Sequence, residues 1–157
     1  GVDFTESEFN LPRNLAESTF PMIEPVPHRM KIQYGYNIGE YSDESVLSFH
    51  PDSDLWIRPQ KTTGSVNWRY GMIDAAWSRE GDKSDGVAFI VQVESPDGSR
   101  REIYRDDVVP VTDESNRGII DVQIEYAIGA DDVLVFSSRA RGNAAYDWAF
   151  VVDITEQ

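Results

Sequence analysis

Apolar residues that recur at every second position, in short runs closed by turn residues, constrain this chain more than any other feature. Met30, Ile32, Tyr34 and Tyr36 alternate with Arg29, Lys31, Gln33 and Gly35. Such alternation puts one side of an extended segment into a core and the other into water, with Tyr34 and Tyr36 on the buried side. Val87, Phe89, Val91 and Val93 repeat the pattern, as do Ile120, Val122 and Ile124. At the C-terminus, Trp148, Phe150, Val152 and Ile154 fall on one face against Asp147, Ala149, Val151 and Asp153 on the other. Turn chemistry separates these runs: Asn37-Ile38-Gly39, Pro51-Asp52-Ser53-Asp54, Pro96-Asp97-Gly98 and Gly129-Ala130-Asp131-Asp132. Pro51 to Asp54 reads as the turn of a hairpin between Val46–His50 and Leu55–Arg58, and Arg101–Tyr104 as the return strand after Asp97-Gly98. Val66 to Trp77 reads as one extended segment with a bulge at Gly71. Strands about every 8–12 residues and no segment of helical period predict an all-β chain, a sandwich or a barrel.

The first 27 residues differ. They are acidic early and then carry Pro12, Pro21, Pro25 and Pro27. Proline fixes φ and removes a donor, so residues 1–27 are expected to be an extended lead-in that adds at most one edge strand, with one helical turn within Leu11–Phe20. Residues 28–157 are expected to form a single domain, since 157 residues fill one core but not two. The hydrophobic fraction of 40%, with four Trp, seven Tyr and seven Phe, supplies enough apolar surface to offset the entropy of ordering.

Charge removes whole classes of function. Fourteen Lys and Arg against 28 Asp and Glu leave −14, spread along the sequence, so phosphate backbones and anionic membrane surfaces are repelled. Nucleic acid is therefore excluded as a partner. No stretch approaches the roughly 20 apolar residues that span a bilayer, so no direct membrane insertion is expected. The absence of cysteine removes disulfides and thiolate chemistry. The chain starts at Gly1, without an initiator Met, which is expected of a piece of a longer protein.

Catalytic signatures are missing. There is no His-Glu-x-x-His, no phosphate-binding glycine loop and no Gly-x-Ser-x-Gly elbow. His28 and His50 sit near strand ends without spaced partners and read as structural. With 28 carboxylates, a pair suited to glycoside hydrolysis could arise anywhere, but no motif selects one, so no enzyme is expected. No cofactor is required. A structural calcium is the one ion the sequence accommodates, through Asp82 and Asp85 with Ser84, or through Asp131 and Asp132. The spacing fits no EF-hand, and plain turn-forming aspartates are the other reading.

The aromatics are the most informative candidates. A sugar offers a C–H face ringed by hydroxyls, and its site needs a flat ring flanked by planar polar groups. Trp68 with Arg69, Asp74 with Trp77, and Arg141, Asn143, Tyr146 and Asp147 combine those types near predicted strand ends. Trp68, Trp77 and Tyr146 are expected at loop ends, and Trp148 in the core. For any single Trp, a core position is the competing reading.

Four local motifs then carry a resemblance. Phe49-His50-Pro51, Arg69-Tyr70-Gly71, Ser84-Asp85-Gly86-Val87-Ala88-Phe89 and Tyr146-Asp147-Trp148-Ala149 together resemble the NPCBM family of carbohydrate-binding modules, across Val46 to Ile154. The resemblance implies an antiparallel β-sandwich of jelly-roll type, galactose-binding-like, that accompanies a larger extracytoplasmic protein and does not catalyse. It also implies a structural role for Asp147 and Trp148. Two functions stay open: a glycan-binding module, or an interaction or spacer ectodomain that packs on a partner protein or on the rest of a longer chain.

Overall fold

The computed structural model describes residues 6–9 and 22–157. In chain order the strands are β1 (Glu6–Phe9), β2 (Ile23–Glu24), β3 (Arg29–Gln33), β4 (Ile38–Tyr41), β5 (Glu44–Ser48), β6 (Ser53–Ile57) and β7 (Thr63–Met72). A single helical turn, α1 (Ala75–Ser78), precedes β8 (Val87–Glu94), β9 (Arg100–Val108), β10 (Gly118–Ala127), β11 (Val133–Ala140) and β12 (Ala149–Glu156). One sheet has the order β1-β3-β6-β11-β8-β9 and the other β10-β7-β12-β5-β4, with β2 attached to β12. Neighbouring strands are antiparallel except the short β2–β12 pair. The two sheets face each other as a jelly-roll sandwich.

Alternation builds the core as the sequence predicts along β3, β8 and β10, and it does so along β7 as well. From the second sheet, Val66, Trp68, Tyr70 and Met72 point inward; from the first, Val87, Phe89, Val91, Val93, Leu134 and Phe136 meet them. The centre is aromatic. Tyr70 stacks on Phe89 with ring centroids 4.4 Å apart, and Trp68 meets Phe136 edge-on at 5.1 Å. The Tyr70 hydroxyl donates to Asp106 at 2.5 Å and receives the Tyr104 hydroxyl at 2.5 Å. Burial, and then the Asp106 carboxylate, push the Tyr70 hydroxyl far above its ordinary range, so the phenol stays a donor.

Several expectations are corrected. Val46–His50 and Leu55–Arg58 do not form a hairpin: β5 pairs with β12 and β4, whereas β6 pairs with β3 and β11 in the opposite sheet. Both runs are apolar enough to pack inward, but Pro51 and Asp52 carry the chain across one end of the sandwich. The hairpin partner of β5 is instead β4, joined by Ser42 and Asp43, both at positive φ as a type I′ turn requires. Val66–Trp77 is not one strand, because β7 stops at Met72 and α1 follows. Gly71 makes no bulge either. A Cβ there would lie 2.6 Å from the Gly118 carbonyl oxygen and 3.0 Å from the Phe150 ring, so glycine lets β10 and β12 close on β7.

The irregularity lies across from it, on β12. A register shift between Val151 and Asp153 turns Phe150 and Val152 away from the main core, leaving Ala149, Val151 and Ile154 inside. Phe150 and Val152 instead pack with Val46 under Tyr41, Ile73 and Ile119, in a small cluster outside the second sheet. The expected face of Trp148, Phe150, Val152 and Ile154 is thus split by one extra residue. Tyr34 is also moved: its φ of +66° ends β3, and it is 58% exposed rather than buried.

The segment before His28 contributes β1, at the edge of the first sheet, and β2, whose Ile23 is buried in the main core. The helical turn expected within Leu11–Phe20 lies outside the described residues.

Trp68 fills the centre at 0% exposure, so Trp68→Ala is expected to destabilise the domain by about 3–5 kcal/mol through the cavity left behind. Denaturant unfolding measures this directly, and a loss below about 1 kcal/mol would contradict the packing described.

Candidate functional site

Loops from both sheets converge at the end of the sandwich where β7, β9 and β11 finish and β8, β10 and β12 begin. Pairing of Val87 with Val108 and Ala140, and of Met72 with Gly118 and Ala149, fixes these ends side by side. Of the residues singled out in the sequence, Asp74, Trp77, Asp82, Asp85, Arg141, Tyr146 and Asp147 belong to this end. Trp68 and Arg69 do not, being interior to β7, and Asp131 and Asp132 sit at the opposite end beside Val133, which pairs with Glu94.

Trp68 is corrected outright. The alternation of β7 drives it into the core, where no ligand reaches it. Arg69 faces outward but is held by two carboxylates. Its guanidinium makes a paired contact with Glu44 at 2.8 and 3.1 Å and donates to Asp153 at 2.6 and 2.9 Å. That ties β7 to β5 and β12.

Trp77 and Tyr146 are at the expected end, yet each ring has a face covered by a cation. Arg117 lies 4.3 Å from the Trp77 ring and Arg79 lies 4.1 Å from that of Tyr146. Trp56, on the outer face of the first sheet, is covered likewise by Arg29 at 4.2 Å. Arg141 is engaged with Asp107 at 3.3 Å and with the Asp85 carbonyl at 3.3 Å.

The aspartates are chiefly organisers of loops. Asp85 accepts from the Asn143 backbone at 3.0 Å, Asp132 accepts from the Gly129 backbone at 2.8 Å, and the Asp82 carbonyl accepts from Arg79. Asp131 is exposed. Among the described residues, no group of three or more Asp, Glu or His is assembled around a common point.

Asp147 is the most unusual member of the set. It is 1% exposed, accepts from the Ser84 hydroxyl through Oδ1, and leaves Oδ2 buried without a partner. Ser84 also receives the Gly86 N–H at 3.0 Å, so one serine joins the Ser84-Asp85-Gly86 turn to the start of β12. Burial, with the Asp85 carboxylate beside it, pushes the Asp147 carboxyl up to about 6.

Beside the start of β12, where His50 meets the Asp147 carbonyl, lies a cleft of about 250 Å³ on the outer face of the second sheet, lined by Gly39, Glu40, Val46, Ser48, His50, Ile73, Trp148, Ala149 and Phe150. The β12 bulge makes it, since that shift turns the Phe150 ring outward as a floor. Tyr41 packs at a tilt of 32° on Phe150, ring centroids 4.6 Å apart, and donates to Asp74 at 2.6 Å. Burial and then the Asp74 carboxylate push the Tyr41 hydroxyl up to about 12, which keeps it a donor. His50 Nδ1–H donates to the Asp147 carbonyl at 3.0 Å, because a carbonyl only accepts; its Nε2 is thereby left as an acceptor. Burial pushes the His50 pKa down, favouring this neutral form. The exposed Tyr34 ring meets His50 edge-on at 5.7 Å.

Glu40, Tyr41, Ser48, His50 and Tyr34 were not legible as site residues. They come from three short stretches, 34, 40–41 and 48–50, that the turn after β3 and the β4–β5 hairpin bring together, and His50 reads as structural in isolation. At the far end, a wider hollow of about 750 Å³ is lined by Thr63, Gly64, Ser65, Glu125, Tyr126, Ala127 and Gln157. Its one ring, Tyr126, is buried and its hydroxyl is spent on Glu156 at 2.7 Å, which leaves no platform.

Asp147 makes stability depend on pH. Its carboxyl sits above the ordinary 3.8, so its contribution is fully present below about pH 4 and is lost as pH rises through about 6. Asp147→Asn keeps the acceptor for Ser84 and places an amide where Oδ2 lacks a partner. The variant is expected to melt higher than wild type at pH 7.5, with the gap shrinking or reversing at pH 4. Melting curves at the two pH values test this; an equal gap at both would contradict it.

No family model and no curated protein matches the sequence. Solved structures do. A chain of ZmpB from Clostridium perfringens, comprising the M60 catalytic domain with CBM51-1 and CBM51-2, superposes with a TM-score of 0.53 at 15% identity, over 83% of this chain and 14% of that one. The CBM51-2 and INT domains of the same protein give 0.50 at 11% identity, over 78% of this chain and 25% of that one. This chain thus spans a small part of either. At such identities the likeness is one of fold, and the chain is a jelly-roll sandwich of the kind found in carbohydrate-binding modules.

Proposed function

We propose that this chain is a non-catalytic, glycan-binding module, an accessory extracytoplasmic part of a larger protein, and that the cleft between the β4–β5 hairpin and the start of β12 is its sugar site. The observation that carries this reading is the composition of the cleft. The half-buried Ile73 and Trp148, over the buried Val46 and Phe150, give an apolar surface rimmed by Glu40, Ser48 and His50. A pyranose needs that combination: flat apolar surface for its C–H face, and acceptors and donors for the hydroxyls at its edge. The volume of about 250 Å³ is below the roughly 300–1,000 Å³ of drug-sized sites, and suits one terminal sugar residue. The ring faces covered by arginine at Trp77 and Tyr146 favour this cleft over the sites the sequence pointed to.

A glycan array, followed by affinity electrophoresis on the best ligand, tests the reading. Tyr34→Asn, which tolerates the positive φ, and Ser48→Ala are each expected to weaken binding about tenfold, equivalent to about 1.4 kcal/mol, with the melting temperature nearly unchanged. An array without a bound glycan contradicts the reading and leaves the interaction or spacer role.

A further inference from the structure

The cleft has a carboxylate and no cation in its lining. Glu40 is exposed on β4, and the neutral His50 presents an acceptor. Arg69 is committed to Glu44 and Asp153, Arg79 to the Tyr146 ring and the Asp82 carbonyl, and Arg141 to Asp107 and Asp85. Further acids border the same face. Asp74 holds the Tyr41 hydroxyl, Asp43 is exposed in the β4–β5 turn, and the chain as a whole carries −14.

Resting on the glycan-binding reading above, we infer that the cleft selects sugars by charge, with Glu40 as the specificity-determining residue: it takes uncharged or amine-bearing sugars and rejects those carrying a carboxylate. A uronate at this rim would bring its anion against Glu40 with no guanidinium or ammonium in the lining to pair it, while its seating against Ile73 and Trp148 strips the water that would screen the two charges. An uncharged hydroxymethyl in the same position meets no such penalty and can donate to Glu40. An ammonium group gains from Glu40 and from the aromatic lining alike. Discrimination of this kind works by a repulsive element against the wrong ligand as much as by contacts to the right one.

Matched monosaccharides that differ in one group provide the test: glucose, glucosamine and glucuronate, and separately galactose, galactosamine and galacturonate, titrated by NMR into the intact chain at low and high salt. Wild type is expected to bind the neutral sugar at least about tenfold more tightly than the uronate, and the amine at least as well as the neutral sugar, with the spread narrowing at high salt. Glu40→Gln, an exposed and nearly isosteric change, is expected to narrow the spread, bringing the uronate to within about threefold of its neutral partner. A uronate that binds as well as its neutral partner, or a preference untouched by Glu40→Gln, overturns charge selection and leaves the glycan site standing. If no member of either series binds, the glycan reading itself falls, and charge selection with it.

Discussion

The wedge of Trp68 and Tyr70 from one sheet against Phe89 and Phe136 from the other is the contact on which the remaining structure depends. These rings come from three long strands, β7, β8 and β11, and their alternation decides which way every other residue on those strands points. With Trp68 inward, Arg69 must face outward, where it fastens β5 and β12 to β7 through Glu44 and Asp153. That clamp sits beside the place where β12 takes in its extra residue. The bulge follows, and with it the outward ring of Phe150 and the floor of the cleft.

One end of this frame is unusually rich in polar contacts. Ser84 joins Asp147 to the Ser84-Asp85-Gly86 turn, His50 holds the Asp147 carbonyl, and Arg141 reaches Asp85 and Asp107. A carboxyl oxygen of Asp147 left buried without a partner is costly in a structural role alone, since desolvation without a hydrogen bond is uncompensated. The carbonyl of Asp147 holds His50 and its neighbour in sequence is Trp148, both of which line the cleft, so the protonation state of Asp147 bears on how firmly those two are set. The residue behind the pH response of the fold is thus the sequence neighbour of Trp148 in the wall of the cleft.

Much of the architecture was legible in the sequence because the period-two signal is local. The strands around Met30, Val87 and Ile120, and the turn at Asp97-Gly98, need only neighbouring residues to declare themselves. What failed was whatever depends on pairing across long separations. The pattern of Trp148 to Ile154 cannot show that Val152 has no partner on β7. Nor can the runs on either side of Pro51 show that they enter different sheets, because both are apolar and both feed the same core. The motifs Ser84-Asp85-Gly86 and Tyr146-Asp147-Trp148 lie together at one end of the molecule, but Trp68 was misplaced, since an aromatic beside an arginine looks the same at a strand centre as at a strand end. The cleft draws on β4, β5, β12 and the turn after β7, segments separated by up to about a hundred residues, and no local pattern joins them.

The most direct measurement of the central claim is a map of amide and indole chemical-shift changes as a glycan selected by the array is titrated into the 15N-labelled chain. If the cleft is the sugar site, the changes concentrate on Gly39, Glu40, Ser48, His50 and Ile73 and on the indole of Trp148, while the Trp68 indole in the core stays still. Changes gathered instead around Thr63, Ser65, Tyr126 and Gln157, or over the rings of Trp77 and Tyr146 without the cleft, would contradict it.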